Sequence, residues 1–315
     1  MIVLESIRAV VEQARHCSID DAAIEAWASE VAPAELEPSA HELLGFLPGS
    51  QDSLANLVLL IDSLNFCFWS ANPIRIEWRG KRYERFNAMF ISIMLAAKYE
   101  PRWCDAEFWV SVPGDELREV LGGKGELLLM DEREGIVRET GRVLLERFDG
   151  QFMNAIESVN WRAWPLAVLL MTNFDSFRDV SSYRYKPVYF LKRAQICALD
   201  TSIAFQTHGH QPLKGLDELT AFADYRVPQA LRHLGIVNMT AESAQAIDSG
   251  QEWPRDSEEE IEIRAATIEA VDRMKEALRR AGKAGAAWRV DWYLWVLSHH
   301  KDVAVNHHRT RTVYY

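Results

Sequence analysis

Cysteine is scarce in this chain, and the little present carries no pattern. Cys17, Cys67, Cys104 and Cys197 form no CxxC pair and no zinc-like spacing. That removes a disulfide scaffold and a cysteine-built metal site, and leaves reduced thiols in a cytoplasmic protein as the expectation. Long apolar runs are missing as well: the longest, at 57–61 and 166–171, are too short to span a bilayer. The N-terminal segment contains Glu5 and no basic stretch ahead of an apolar run, so no signal peptide is expected. Positive charge is in deficit, with 35 Lys and Arg against 46 Asp and Glu and a formal net charge of -11. Long nucleic acid is therefore disfavoured as a partner, since its binding leans on clustered cations. A small anion held in a local basic pocket stays open. Short catalytic signatures are absent too. There is no G-x-S-x-G elbow and no HExxH, and 122–125 (GGKG) lacks both the Walker spacing and the Ser or Thr after its lysine, so a turn is expected there. The histidine pairs 299–300 and 307–308, and the separated His208 and His210, have no accompanying ligand motif, so neither a metal nor a cofactor is expected.

What is present points to a large helical core. Hydrophobic residues make up 48% of the chain and tryptophan is abundant, enough for one sizeable buried interior. Apolar residues recur at helical spacing in 2–15, 20–31, 54–66, 86–98, 116–121, 143–148, 152–159, 164–172, 188–205 and 216–225. Pro228 can open a further helix that Gly235 ends. Strand-like alternation is confined to 74–83, where Arg79-Gly80 suggests a hairpin turn. The acidic run 256–262 follows Pro254 and reads as the solvated start of a long helix. With no repeat, linker or composition shift, the expectation is a single, mostly α-helical domain over 1–315 with one small β-hairpin.

Two aspartates stand out against this background. Asp224 lies in 222–229 (FADYRVPQ) and Asp291 in 289–295 (RVDWYLW), each beside bulky rings. A carboxylate among apolar residues is costly unless its charge is used. Each also has an ordinary structural role open to it: an ion pair with Arg226 or a helix cap for Asp224, and a pair with Arg289 for Asp291. Asn65 interrupts the otherwise apolar 64–69 (LNFCFW), as either a satisfied core amide or a ligand-facing one.

Together, 64–69 (LNFCFW), 189–196 (YFLKRAQI), 220–229 (TAFADYRVPQ), 290–295 (VDWYLW) and 309–315 (RTRTVYY) resemble the queuosine salvage family, the queuosine 5'-phosphate N-glycosidases. These segments occur in the family's order. The resemblance implies a mostly helical fold similar to helix-hairpin-helix DNA glycosylases, with 231–237 as a candidate hairpin. It also implies release of queuine, a 7-substituted 7-deazaguanine, from its nucleoside monophosphate. Under it, Asp224 accepts the adjacent donors of a guanine-like edge while Phe222 stacks on the ring. His41 and Asn65 contact the base and Trp292 walls the site. Asp291 is the catalytic carboxylate that faces positive charge developing on the sugar. Lys192 and Arg193 lead as phosphate ligands, with Tyr225, Arg226, His308 and Arg309 in reserve. The alternative is a non-catalytic binder of a modified base, nucleotide or RNA on a similar scaffold. An active DNA glycosylase meets the same charge objection as any long-nucleic-acid partner.

Overall fold

A computed structural model describes residues 1–37 and 43–315. His41 therefore lies outside the described residues. The architecture is helical. Among the described residues, fourteen α-helices carry a buried core that draws residues from Val3 to Tyr315. Helix Lys192–Thr207 runs through the interior, packed on Gln51–Ser63 and Ala163–Asn173. Helix Glu258–Arg280 packs on Ile2–Val11, Asp21–Glu30 and Ala287–Leu297. Side-chain caps start several helices: the Ser50, Thr240 and Ser257 side chains accept the N–H of Ser53, Ser243 and Glu260. No described helix is long and apolar enough to cross a membrane.

The expected hairpin is present, Arg75–Trp78 pairing antiparallel with Lys81–Glu84. Two further strand pairs correct the expectation of a single one. Val180–Tyr183 pairs with Lys186–Tyr189, and Cys17–Ile19 pairs with Val237–Met239. The stretch read as helix from residue 188 thus begins as a strand, and the helix starts only at Lys192. Residues 231–237 lead from helix Arg226–His233 through Gly235, at φ 68°, into the strand Val237–Met239 and then helix Ala241–Asp248.

Two corrections bear on the site. Residues 216–225 are not a helix: a 3-10 turn at Leu216–Glu218 gives way to an irregular, buried strap over 219–224. Its apolar spacing mimics a helix because both sides of the strap are enclosed. The acidic run is also not simply a wet face. Glu260 and Glu262 are buried, and their carboxylates accept hydrogen bonds from the hydroxyls of Tyr315 (2.8 Å) and Tyr183 (2.7 Å).

Candidate active site

A cavity of about 460 Å³ opens between five parts of the chain, a size suited to a small organic ligand. Helix Ala287–Leu297 and its continuation contribute Trp288, Asp291, Trp292, Trp295 and His299. These positions are spaced by three or four residues and so share one helical face. Helix Lys192–Thr207 presents Lys192, Ile196, Leu199 and Asp200 by the same logic. The strap adds Phe222, Asp224 and Tyr225, and the segment after helix Gln51–Ser63 adds Asn65, Phe66 and Phe68. The hairpin and the start of helix Arg85–Tyr99 supply Arg82 and Arg85.

The two irregular segments are buried, so their backbone groups need partners other than water. Cationic side chains satisfy the carbonyls of 62–66. Arg193 donates to the carbonyls of Asp62 and Ser63, Arg133 to those of Leu64 and Phe66, and the Lys192 Nζ to that of Asn65 at 3.2 Å. The strap is pinned similarly. The Thr220 N–H donates to Gln195 Oε1 at 2.8 Å, the Phe222 N–H to Asp291 Oδ1 at 2.8 Å, and Arg264 Nε to the Ala223 carbonyl at 3.0 Å. Arg264 is itself paired with Asp179 and Glu260. Asp224 Oδ1 accepts the N–H groups of Arg226 (2.6 Å) and Val227 (2.9 Å), capping the next helix.

These contacts answer the structural alternatives for the two aspartates. Asp224 does act as a helix cap, but through Oδ1, and it also lines the cavity. Asp291 has no pair with Arg289, whose guanidinium bonds Glu37 instead. Burial, reinforced by Asp224, pushes the Asp291 carboxyl well above the usual range, against the opposing pull of the Phe222 N–H and Lys192. Burial pulls the Lys192 ammonium down, while Asp224, Asp62 and Asp291 support its charge.

The other expected residues divide. Phe222, Trp292, Asn65, Lys192, Tyr225 and Arg226 line the cavity together with the two aspartates. Trp292 and Trp295 stack with ring centroids 5.6 Å apart, and Asn65 Nδ2 donates to Asp62 Oδ1 at 3.4 Å. Arg193, His308 and Arg309 do not line it. Arg193 is 1% exposed, and its donors are taken by the carbonyls of Asp62, Ser63 and Ser176. His308 is buried between Trp253 and Tyr315. Arg309 lies over Trp69, with its centre 5.9 Å from the ring. Of these three candidates for the phosphate, Arg193 and His308 are thus enclosed in the core, and Arg309 lies outside the cavity lining.

Sequence reasoning missed Arg82, Arg85, Asp200 and His299. Arg82 and Arg85 were hidden by the hairpin, whose alternation says only that a strand returns. Asp200 and His299 each extend a helical face already begun by Lys192 or Asp291, and that spacing was the available signal. Arg85 has φ 57° and a buried Nε without a hydrogen-bond partner. Burial chiefly, and also Arg85, pull the Arg226 guanidinium below its ordinary value. Burial, with Arg226 and Arg85 adding to it, likewise lowers His299. The cavity is thus bipolar, with Asp200, Asp224 and Asp291 among its acids and Arg82, Arg85 and Arg226 among its bases. Apart from the cavity, ligand atoms of His16, Glu258 and Glu262 lie within 4.8 Å of one another, but Glu262 already accepts the N–H groups of Arg15 and His16.

Comparison with known proteins agrees with this picture. A protein from Sphaerobacter thermophilus is 39% identical over 314 residues, covering 99% of this chain and 97% of its own length. Relatives from Mus musculus (30% identical) and Bos taurus (29%) each cover 99% of this chain and 98% of their own lengths. All three are named queuosine 5'-phosphate N-glycosylase/hydrolase. Residues 47–315 match the queuosine salvage protein family, and the chain belongs to it.

Proposed function

We propose that this protein hydrolyses the N-glycosidic bond of queuosine 5'-monophosphate and releases queuine. The observation that carries the reading is the bipolar, aromatic-walled cavity. A nucleoside monophosphate has one dianionic end and a flat base with N–H donors at the other, which matches a pocket lined by both guanidinium and carboxylate groups. The reaction breaks the C1'–N9 bond, adds the oxygen of water to C1' and leaves a proton on the base.

In this reading Phe222 stacks on the base, Trp292 shields the site from bulk water, and Asn65 and His41 complete the base contacts. Asp224 accepts the N1–H and amino donors of the guanine-like edge through the oxygen not used for capping. Asp291 faces the cationic sugar in the transition state. Lys192, Tyr225 and Arg226 hold the phosphate, joined by Arg82 and Arg85. The order helix Arg226–His233, turn, strand and helix Ala241–Asp248 supports a likeness to helix-hairpin-helix glycosylases, with one domain carrying the whole site.

One observation favours exchanging the two aspartates. The Asp291 carboxyl is pushed well up by burial, a shift that favours its protonated form and suits it to donate to the base. A 7-deazapurine has no N7 to protonate, which leaves N3 or O6 as the receiving atom. Asp224, fixed by two N–H groups, would then face the sugar. Turnover of queuosine 5'-monophosphate and calorimetric binding of queuine, measured on Asp291→Asn and Asp224→Asn, separate the arrangements. The catalytic aspartate is the one whose asparagine variant loses roughly 10²–10⁴-fold in turnover while still binding queuine. If the wild type releases no queuine, the hydrolase reading falls and the binder remains.

A further inference from the structure

Beside Glu84, which pairs with Arg82 and Arg85, three aspartates line this cavity, and the proposed reaction uses two. The third, Asp200, projects from the face of helix Lys192–Thr207 that also carries Lys192, Ile196 and Leu199. It is 8% exposed, yet it makes no hydrogen bond or ion pair among the described residues. Asp224 and Asp291 are each tied to backbone N–H groups, so the fold has a use for them. It has none for Asp200.

A second unsatisfied acid lies behind it. Asp62, from helix Gln51–Ser63, is fully buried; its Oδ1 accepts from Asn65, and its Oδ2 has no partner. Asp62 raises the Asp200 carboxyl, and the two helices that carry these groups pack on one another. Of the cations near the pair, Arg193 is spent on backbone carbonyls, and the Lys192 ammonium already donates to the Asn65 carbonyl. An enclosed carboxyl without a partner disfavours folding, and such groups in a cleft mark sites that a ligand completes. Apolar Ile196 and Leu199 beside it leave room for a carbon skeleton and no competing donor.

We infer that Asp200, backed by Asp62, is the specificity-determining acid for a cationic substituent on the base. The inference rests on the proposed reaction. Queuine carries at its 7-position an aminomethyl group whose secondary amine is protonated at neutral pH, linked to a ring bearing two hydroxyls. The ammonium and those hydroxyls supply the donors that the acid pair lacks. Selectivity for the modified nucleotide over ordinary guanine nucleotides then comes from this end of the cavity, and the guanine-like edge is read elsewhere.

Calorimetric titration with queuine, 7-deazaguanine and a queuine analogue with methylene in place of the amine tests this, on the wild type and on Asp200→Asn. The wild type should bind queuine on the order of 30-fold or more tightly than the methylene analogue, as for a buried charge pair that loses one partner. Asp200→Asn should bring those two within about threefold of each other and leave 7-deazaguanine affinity unchanged. Equal wild-type affinity for queuine and the methylene analogue overturns the inference, and needs no variant to fold. So does an equal loss on queuine and 7-deazaguanine in Asp200→Asn, which is the mark of a structural role. Turnover of queuosine 5'-monophosphate by the wild type keeps the two readings apart. Discrimination without turnover keeps this subsite and removes the hydrolase; turnover without discrimination does the reverse.

Discussion

At the scale of single residues, adjacent cations have opposite duties. Lys192 lines the cavity, whereas Arg193 points away from it and bonds backbone carbonyls at the end of one helix and in a neighbouring turn. Sequence places the two side by side and gives no reason to separate them, because direction is set by helix packing. Arg193→Ala should lower the free energy of unfolding by about 2–5 kcal/mol, since it leaves several buried carbonyls without a donor. Chemical denaturation measures this. The folded variant should lose activity equally on queuosine 5'-monophosphate and on the unphosphorylated nucleoside. A loss confined to the monophosphate, with stability intact, would return Arg193 to the phosphate site. Lys192→Ala should behave in the opposite way, weakening the monophosphate by about 1.5–3 kcal/mol and the nucleoside far less.

Among the elements, the GGKG segment is a turn with a positioning task. Arg75 and Lys124 exchange backbone hydrogen bonds at 2.8 and 3.3 Å, and the Glu126 N–H donates to the Asn72 carbonyl at 2.7 Å, so the turn clasps the hairpin that carries Arg82. Gly125 has φ 121°, and a Cβ there would lie 2.3 Å from the Pro73 carbonyl oxygen. Gly125→Ala should therefore cost about 1–3 kcal/mol or more. Gly123→Ala should cost less, because φ is 45° and the nearest contact is 3.2 Å. Equal melting points for the two variants would refute the clasp. The same scale explains what the sequence revealed. Long periodic helices, the 75–84 hairpin and this turn were legible because their signals are local. The strand pair joining Cys17–Ile19 to Val237–Met239 was not, since each partner is too short to declare itself alone. The strap over 219–224 misled for a related reason. Its backbone is held by Gln195, Arg264 and Asp291, and no local pattern announces such distant partners. Of the site, the two aspartates and their rings were visible as buried charge beside aromatics, and Asp200 was hidden among ordinary helix positions.

For the whole molecule, the price of this cavity is a set of buried acids that tie stability to pH. Burial raises the Asp62 carboxyl to about 7, against the opposing pull of Asn65, Lys192 and Arg193; Asp200 and Asp291 are pushed well above the usual range, again chiefly by burial. Carboxyls raised in this way bind their protons more tightly in the folded chain than in the unfolded one. Their stabilising contribution is therefore complete below the unfolded carboxyl value near 4 and is lost as pH rises through the folded value. Buried histidines act in the other direction. Burial lowers His307 to about 4 and His308 well below its ordinary value, so both favour folding increasingly as pH climbs from about 4 to about 6.5. The two trends oppose each other in mild acid. The histidine contribution levels off above about pH 6.5, and there the raised acids set the trend. The ligand-free protein should then lose on the order of 1 kcal/mol of stability per pH unit between 6.5 and 7.5, read as a falling thermal midpoint. Asp62→Asn keeps the shape and removes one titrating group, so its midpoint should fall less steeply over the same interval. A midpoint that is flat or rising there, with Asp62→Asn parallel to the wild type, would mean that these carboxyls are already ionised in the empty cavity. The protonated Asp291 invoked for donation to the base would then have no support.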